Sequence, residues 1–172
     1  YTAGAKILVY GAPKNRLLFD HNYADAIKLA EERLAVLAEI CWLHGVSIGL
    51  EAVPAIYGGE IIKSYRESSA IVQAVNHPGL VFHLDAGCTF LNGDSVADAI
   101  NESSRLIKHF HISQPKLSDY AEPADYHLDA SVALSNFDYQ GWLCIEMLES
   151  GVPLASIHKA VDFVFKKYKV VR

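Results

Sequence analysis

The sequence predicts an α/β fold: a partial (β/α)8 TIM barrel made of about the last five strand-helix units, parallel in its strands and forming one domain over residues 1–172. Three observations predict it. Strand-like and helix-like stretches alternate five times along the chain, the pattern of parallel strands joined by right-handed crossovers. Four of the strands split, with the two-residue strand period, into an apolar face and a polar face. Polar residues inside and apolar ones outside suit a barrel, whereas an open doubly wound sheet has strands that are apolar on both faces. A complete barrel takes about 250 residues, so five units in 172 residues point to one that lacks its N-terminal strands.

Each element has its own signal. Lys6 to Tyr10 reads as a strand closed by the turn Gly11-Ala12-Pro13. Ile27, Ala30, Leu34, Leu37, Ala38 and Cys41 recur at helical spacing, predicting a helix from Tyr23 to His44 with Gly45 as its stop. In the next strand Ser47, Gly49 and Glu51 oppose Ile48 and Leu50. A helix is expected from Ile61 to Val75, ended by Asn76-His77-Pro78-Gly79. His83 and Asp85 then oppose Phe82 and Leu84, and a helix follows from Asp94 to Ser104, capped by Asp94 or Ser95. In the fourth strand His109, His111 and Ser113 oppose Phe110 and Ile112. A loop from Gln114 to Asp125 leads to a helix over His127 to Asn136. In the last strand Cys144 and Glu146 oppose Leu143 and Ile145. Pro153 opens a final helix, with Leu154, Ile157, Val161 and Phe165 on one face.

Composition narrows the partners. A formal charge of -5 gives no electrostatic reason to expect nucleic acid. Cys41, Cys88 and Cys144 are scattered and odd in number, which argues against a disulfide framework. No apolar run approaches a membrane span and the first residues lack a signal-peptide pattern, so a soluble cytoplasmic protein is expected. The first residue is Tyr1, and a strand begins almost at once, as in a piece of something longer. The open strand edges of such a piece invite pairing, in a homo-oligomer or within a longer parent chain.

Glu51, Asp85, His111 and Glu146 each end a strand, and the intervals of 34, 26 and 35 residues are close to one βαβ repeat. They would converge at the barrel mouth. Three carboxylates and an imidazole make a hard, oxygen-rich site for a divalent cation, Mn²⁺ or Mg²⁺, with Zn²⁺ or Co²⁺ as alternatives. Carboxylates this close repel one another unless a cation lies between them. Taken singly, each also reads as a helix cap or as the partner of a nearby Lys or Arg; at matching depth on successive strands, they read as a set. His83 and His109 share the polar face one layer deeper, as interior packing or as braces for the ligands. Lys14 and Arg16 follow the first strand, either to bind a substrate anion or as part of a solvated loop.

Five motifs carry a resemblance: Tyr10-Gly11-Ala12-Pro13-Lys14-Asn15-Arg16, Leu50-Glu51-Ala52-Val53-Pro54, His83-Leu84-Asp85-Ala86-Gly87, His109-Phe110-His111-Ile112-Ser113 and Gly141-Trp142-Leu143-Cys144-Ile145-Glu146-Met147. In this order the chain resembles the xylose isomerase-like TIM-barrel superfamily, aligned to its last five strands. That superfamily includes sugar isomerases and epimerases, inosose dehydratases and nucleases of the endonuclease IV type. The resemblance implies that Glu51, Asp85, His111 and Glu146 are the metal ligands, and that Glu51 and Glu146 are also the acid and base acting on a carbohydrate through an enediolate.

Some positions depart from the pattern. Cys88 stands where several relatives have a histidine, Tyr57 where the epimerases have a second glutamate, and Lys116 where they have an arginine. With Lys14, Arg16 and His127, these are the candidate substrate contacts. Asp125-Tyr126-His127 resembles an Asp-x-His that binds additional zinc in the nucleases; the favoured reading is a helix-capping Asp and a loop histidine. The leading expectation is a metal-dependent sugar isomerase or epimerase. A dehydratase of the same fold, a truncated non-catalytic binding protein and, less favoured, a nuclease are the alternatives.

Overall fold

A computed structural model of the protein describes residues 4–168. Five strands, β1 (Ile7–Tyr10), β2 (Ser47–Glu51), β3 (Leu80–Asp85), β4 (Ile107–Ser113) and β5 (Trp142–Glu146), pair in chain order, and every pair is parallel. Helices α1 (Tyr23–Leu43), α2 (Tyr65–Val75), α3 (Ala86–Leu91), α4 (Val96–Ser103), α5 (Tyr126–Asn136) and α6 (Pro153–Lys167) alternate with them. The result is a half-barrel, a partial α/β TIM barrel. Ile48, Leu50, Phe82, Leu84, Phe110 and Ile112, the apolar faces read from the sequence, are all buried in the layer between sheet and helices. No helix among the described residues is long and apolar enough to cross a membrane.

The register shows why the strand ends meet. Glu51 lies opposite His83, so Asp85 is two residues farther along; Asp85 lies opposite His111; Ser113 lies opposite Glu146, two residues beyond His111. In a barrel with a shear of eight over eight strands, register advances by about one residue per strand. The observed stagger therefore compensates for strand tilt and keeps the four tips near one height. A bulge on β4 sets part of this: Phe82 pairs with Ile107 but His83 with His109, leaving Lys108 unpaired and exposed.

Two expectations about the helices are corrected. Helix α2 begins at Tyr65, not Ile61, because Ser64 and Glu67 form a reciprocal capping box and Ile62 has a positive φ of 58°. A short helix, α3, follows β3 directly; Asp85 caps it, and its six residues are too few to show a period. On α6 the buried residues are Ser156, Ala160 and Val164, whereas Leu154, Ile157 and Phe165 are exposed. Periodicity located an apolar stripe there, but nothing among the described residues covers it.

A candidate metal centre at the strand ends

The residues expected at the mouth are brought together there. Donor atoms of Glu51, Asp85 and His111, with one from His83, all lie within 4.8 Å of one another. Glu146 approaches from β5, its Oε2 3.1 Å from His111 Nδ1, and Asp85 Oδ2 is 3.5 Å from the same nitrogen. Glu51 and Asp85 are buried, while the Glu146 side chain is 41% exposed and faces the open mouth. This is a buried His/Asp/Glu group that could hold a metal ion.

Each carboxylate is held by its surroundings. Asp85 Oδ1 accepts the Cys88 N–H at 2.6 Å, which caps α3, and Asp85 Oδ2 accepts from the Ser113 hydroxyl at 2.8 Å. The helix-cap reading of Asp85 is thus realised together with its place in the cluster, since a carboxylate has about four acceptor positions. Ser113 in turn accepts the Gly87 N–H at 2.8 Å. Glu51 packs against the backbone of Gly11, where a Cβ would overlap Oε2. Its Oε1 lies 3.9 Å from Cys88 Sγ.

Electrostatics show what the cluster lacks. Burial, followed by repulsion from Asp85 and Glu146, pushes the Glu51 carboxyl up to about 8. Burial disfavours charge on His111, but its bonds to Asp85 and Glu146 outweigh this and raise it to about 9. Left to itself the group retains protons, which a divalent cation would replace. The donor set fits such an ion.

Other candidates are sorted by where they sit. Arg16 is 2% exposed, and its guanidinium donates to the carbonyls of Glu51 (2.6 Å), Ile62 (3.3 Å) and Tyr10 (2.5 Å). It ties the ends of β1 and β2 together and does not point at an incoming anion, which corrects the expectation. Lys14 and Lys116 are exposed residues of short 3-10 turns, Pro13–Asn15 and Pro115–Leu117. Tyr57 is 38% exposed, and its hydroxyl is raised by burial and then by the nearby Cys88, Asp85, Glu146 and Glu51, so it borders the mouth. Burial raises the Cys88 thiol, which is therefore no ready-made thiolate. His127 is also corrected: it is 1% exposed, bonded through Nδ1 to the Tyr168 hydroxyl at 2.6 Å, and packed against Phe163 of α6. It belongs to the layer outside the sheet.

The sequence matches the family described as xylose isomerase-like TIM barrel over residues 2–167. The chain belongs to that family. Among solved structures of this fold, a 3-keto-D-glucoside 4-epimerase from E. coli superposes with a TM-score of 0.78 at 15% identity, covering 93% of this chain and 63% of the other. An L-ribulose 3-epimerase gives a TM-score of 0.79 at 17% identity, covering 86% and 56%. An AP endonuclease, family 2, from Brucella melitensis gives 0.73 at 16% identity, covering 85% and 57%. Likenesses at these identities establish the xylose isomerase-like fold alone. The chain spans about three-fifths of the length of these structures. Comparison with curated proteins gives no significant match.

Proposed function

We propose that Glu51, Asp85, His111 and Glu146 hold one divalent cation, Mn²⁺ or Mg²⁺ with Zn²⁺ or Co²⁺ as alternatives, and that the chain serves a sugar isomerase or epimerase. The observation that carries this reading is the convergence of three carboxylates and an imidazole from four adjacent strand ends, on a fold shared with sugar epimerases. When bound, the cation supplies the charge that acidifies a C–H beside a carbonyl and favours the enediolate. Glu146, exposed at the mouth, is placed to take that proton as a carboxylate. The C–H electron pair then becomes the enediolate double bond. Glu51, from the other flank of the cluster, would hold the cation through one oxygen and return a proton to carbon from the other; delivery to the other face inverts the centre, and delivery to the old carbonyl carbon moves the carbonyl, the neighbouring hydroxyl proton passing to the old carbonyl oxygen. Tyr57 and Cys88 border the same space and would contact the sugar.

A dehydratase begins with the same abstraction and differs in losing hydroxide from the adjacent carbon. The nuclease reading has only the shared fold in its favour and is opposed by the charge of -5.

The test is exchange of substrate C–H in D₂O. With Mn²⁺ present, a panel of ketoses and keto-glycosides followed by NMR should show deuterium entering beside the carbonyl, with an isomeric product. A dehydrated product assigns the lyase; no exchange in any sugar, with the cation bound, assigns a binding protein.

A further inference from the structure

Beneath the mouth is a second row of side chains that the proposed reaction does not use. His83 is fully buried, its Nδ1 is 3.0 Å from His109 Nδ1, and its Nε2 has no hydrogen-bond partner. His109 Nε2 lies 3.3 Å from Cys144 Sγ. A buried imidazole nitrogen without a partner is costly. His83 also supplies one donor nitrogen to a tight group with Glu51, Asp85 and His111, all donors lying within 4.8 Å of one another. Bonds of about 2.0–2.2 Å to one ion allow donors to be at most about 4.4 Å apart, so a small contraction would place all four around a single centre.

We infer that His83 is an additional, inner ligand of the cation, binding through Nε2, with His109 and Cys144 fixing its tautomer. This rests on the metal site proposed above. For Nε2 to offer a lone pair, the His83 proton must sit on Nδ1 and be donated to His109 Nδ1. His109 then carries its own proton on Nε2, facing the Cys144 sulfur. The row Cys144–His109–His83 therefore admits one arrangement in which each imidazole N–H faces an acceptor and the His83 lone pair is left for the cluster. The reverse arrangement directs an N–H at a cation site, which the ion would oppose. Two imidazoles in place of one shift the donor set from hard oxygen toward nitrogen, favouring Zn²⁺ or Co²⁺ over Mg²⁺. That is a choice of metal the four mouth residues leave open.

The experiment is X-ray absorption on the full chain loaded with Zn²⁺ alone, with affinity by competition against a chromophoric chelator. Two imidazoles per zinc are expected in the wild type and one in His83→Phe, with affinity reduced at least about tenfold. His109→Phe should keep two imidazoles but bind more weakly, because the tautomer is no longer fixed. If His83→Phe does not fold, His109→Phe decides instead: two imidazoles kept there assign the second to His83, and one overturns it. One imidazole in the wild type, with binding abolished by Asp85→Asn, overturns the role of His83 and leaves the four-residue site standing. No stoichiometric binding by the wild type overturns both.

Discussion

Glu146 Oε2 lies 3.1 Å from His111 Nδ1, linking the tips of β5 and β4. This pair combines the most exposed carboxylate of the cluster with its central imidazole. It positions Glu146 by one bond while the side chain stays 41% exposed. Glu146→Gln should retain the fold and much of the metal affinity, because the amide oxygen can still approach His111 or a cation. It cannot accept a proton, so exchange in D₂O should fall by roughly 10²–10⁴-fold. An unchanged exchange rate at saturating metal would remove Glu146 from the proton transfer.

Ser113 should matter through Asp85. Its hydroxyl accepts from Gly87 N–H and donates to Asp85 Oδ2, and it is wholly buried. Ser113→Ala strands a buried N–H and loosens the carboxylate, costing about 1–3 kcal/mol of stability and about 10–100-fold in metal affinity. Thermal unfolding and metal titration read the two effects separately. Loss of stability with unchanged affinity would show that Asp85 needs no such brace.

The two basic residues after β1 should separate sharply. Arg16→Met leaves three buried or part-buried carbonyls without their donor, at about 1–3 kcal/mol for each that finds no substitute. Lys14→Met, on the exposed turn beside it, should change stability by less than about 0.5 kcal/mol. Denaturant unfolding of both variants checks the contrast. Equal effects would mean that Arg16 is not the tie between β1 and β2.

Much of this arrangement was legible beforehand because a strand has a period of two and a barrel gives its faces different solvents. His111 and Asp85 could be placed on the inner face by counting alone. Arg16 could not, because its role is to satisfy carbonyls of residues up to 46 positions away, and backbone geometry leaves no trace in side-chain pattern. His127 was misplaced for a related reason: it follows a long loop, so its distance from β4 along the chain carried no direction. The unpartnered Nε2 of His83 is likewise a fact of three dimensions.

The burial of His127 has a pH signature. Burial lowers its pKa to about 4, against an ordinary value of 6.5. The unfolded chain therefore takes up a proton near pH 6.5 that the folded one refuses until near pH 4. This residue's contribution is unaffected above that window and is lost as pH falls through it, at up to about 1.4 kcal/mol per pH unit. His127→Phe also loses the bond to Tyr168, a cost that does not vary with pH in this range. Stability of the wild type relative to the variant should thus decline from pH 6.5 to pH 4. A constant difference across that range would show that His127 titrates normally.

The sheet edges set the behaviour of this chain in isolation. Among the described residues β1 pairs only with β2, and β5 only with β4. Leu8 and Val9 on β1 are 48% and 36% exposed, and Leu154 and Ile157 on α6 are 74% and 49% exposed. Unpaired backbone groups beside exposed apolar side chains are the features by which edge strands recruit another strand. In a solution of this chain alone the available cover is a second copy. At tens of micromolar it should therefore sediment as a dimer or larger. Leu8→Lys together with Ile157→Glu, which adds charge to both flanks with Leu8 on the face opposite the cluster, should shift it toward monomer and leave metal binding intact. A stable, cooperatively unfolding monomer of the unaltered chain would show that the half-barrel tolerates its open edges.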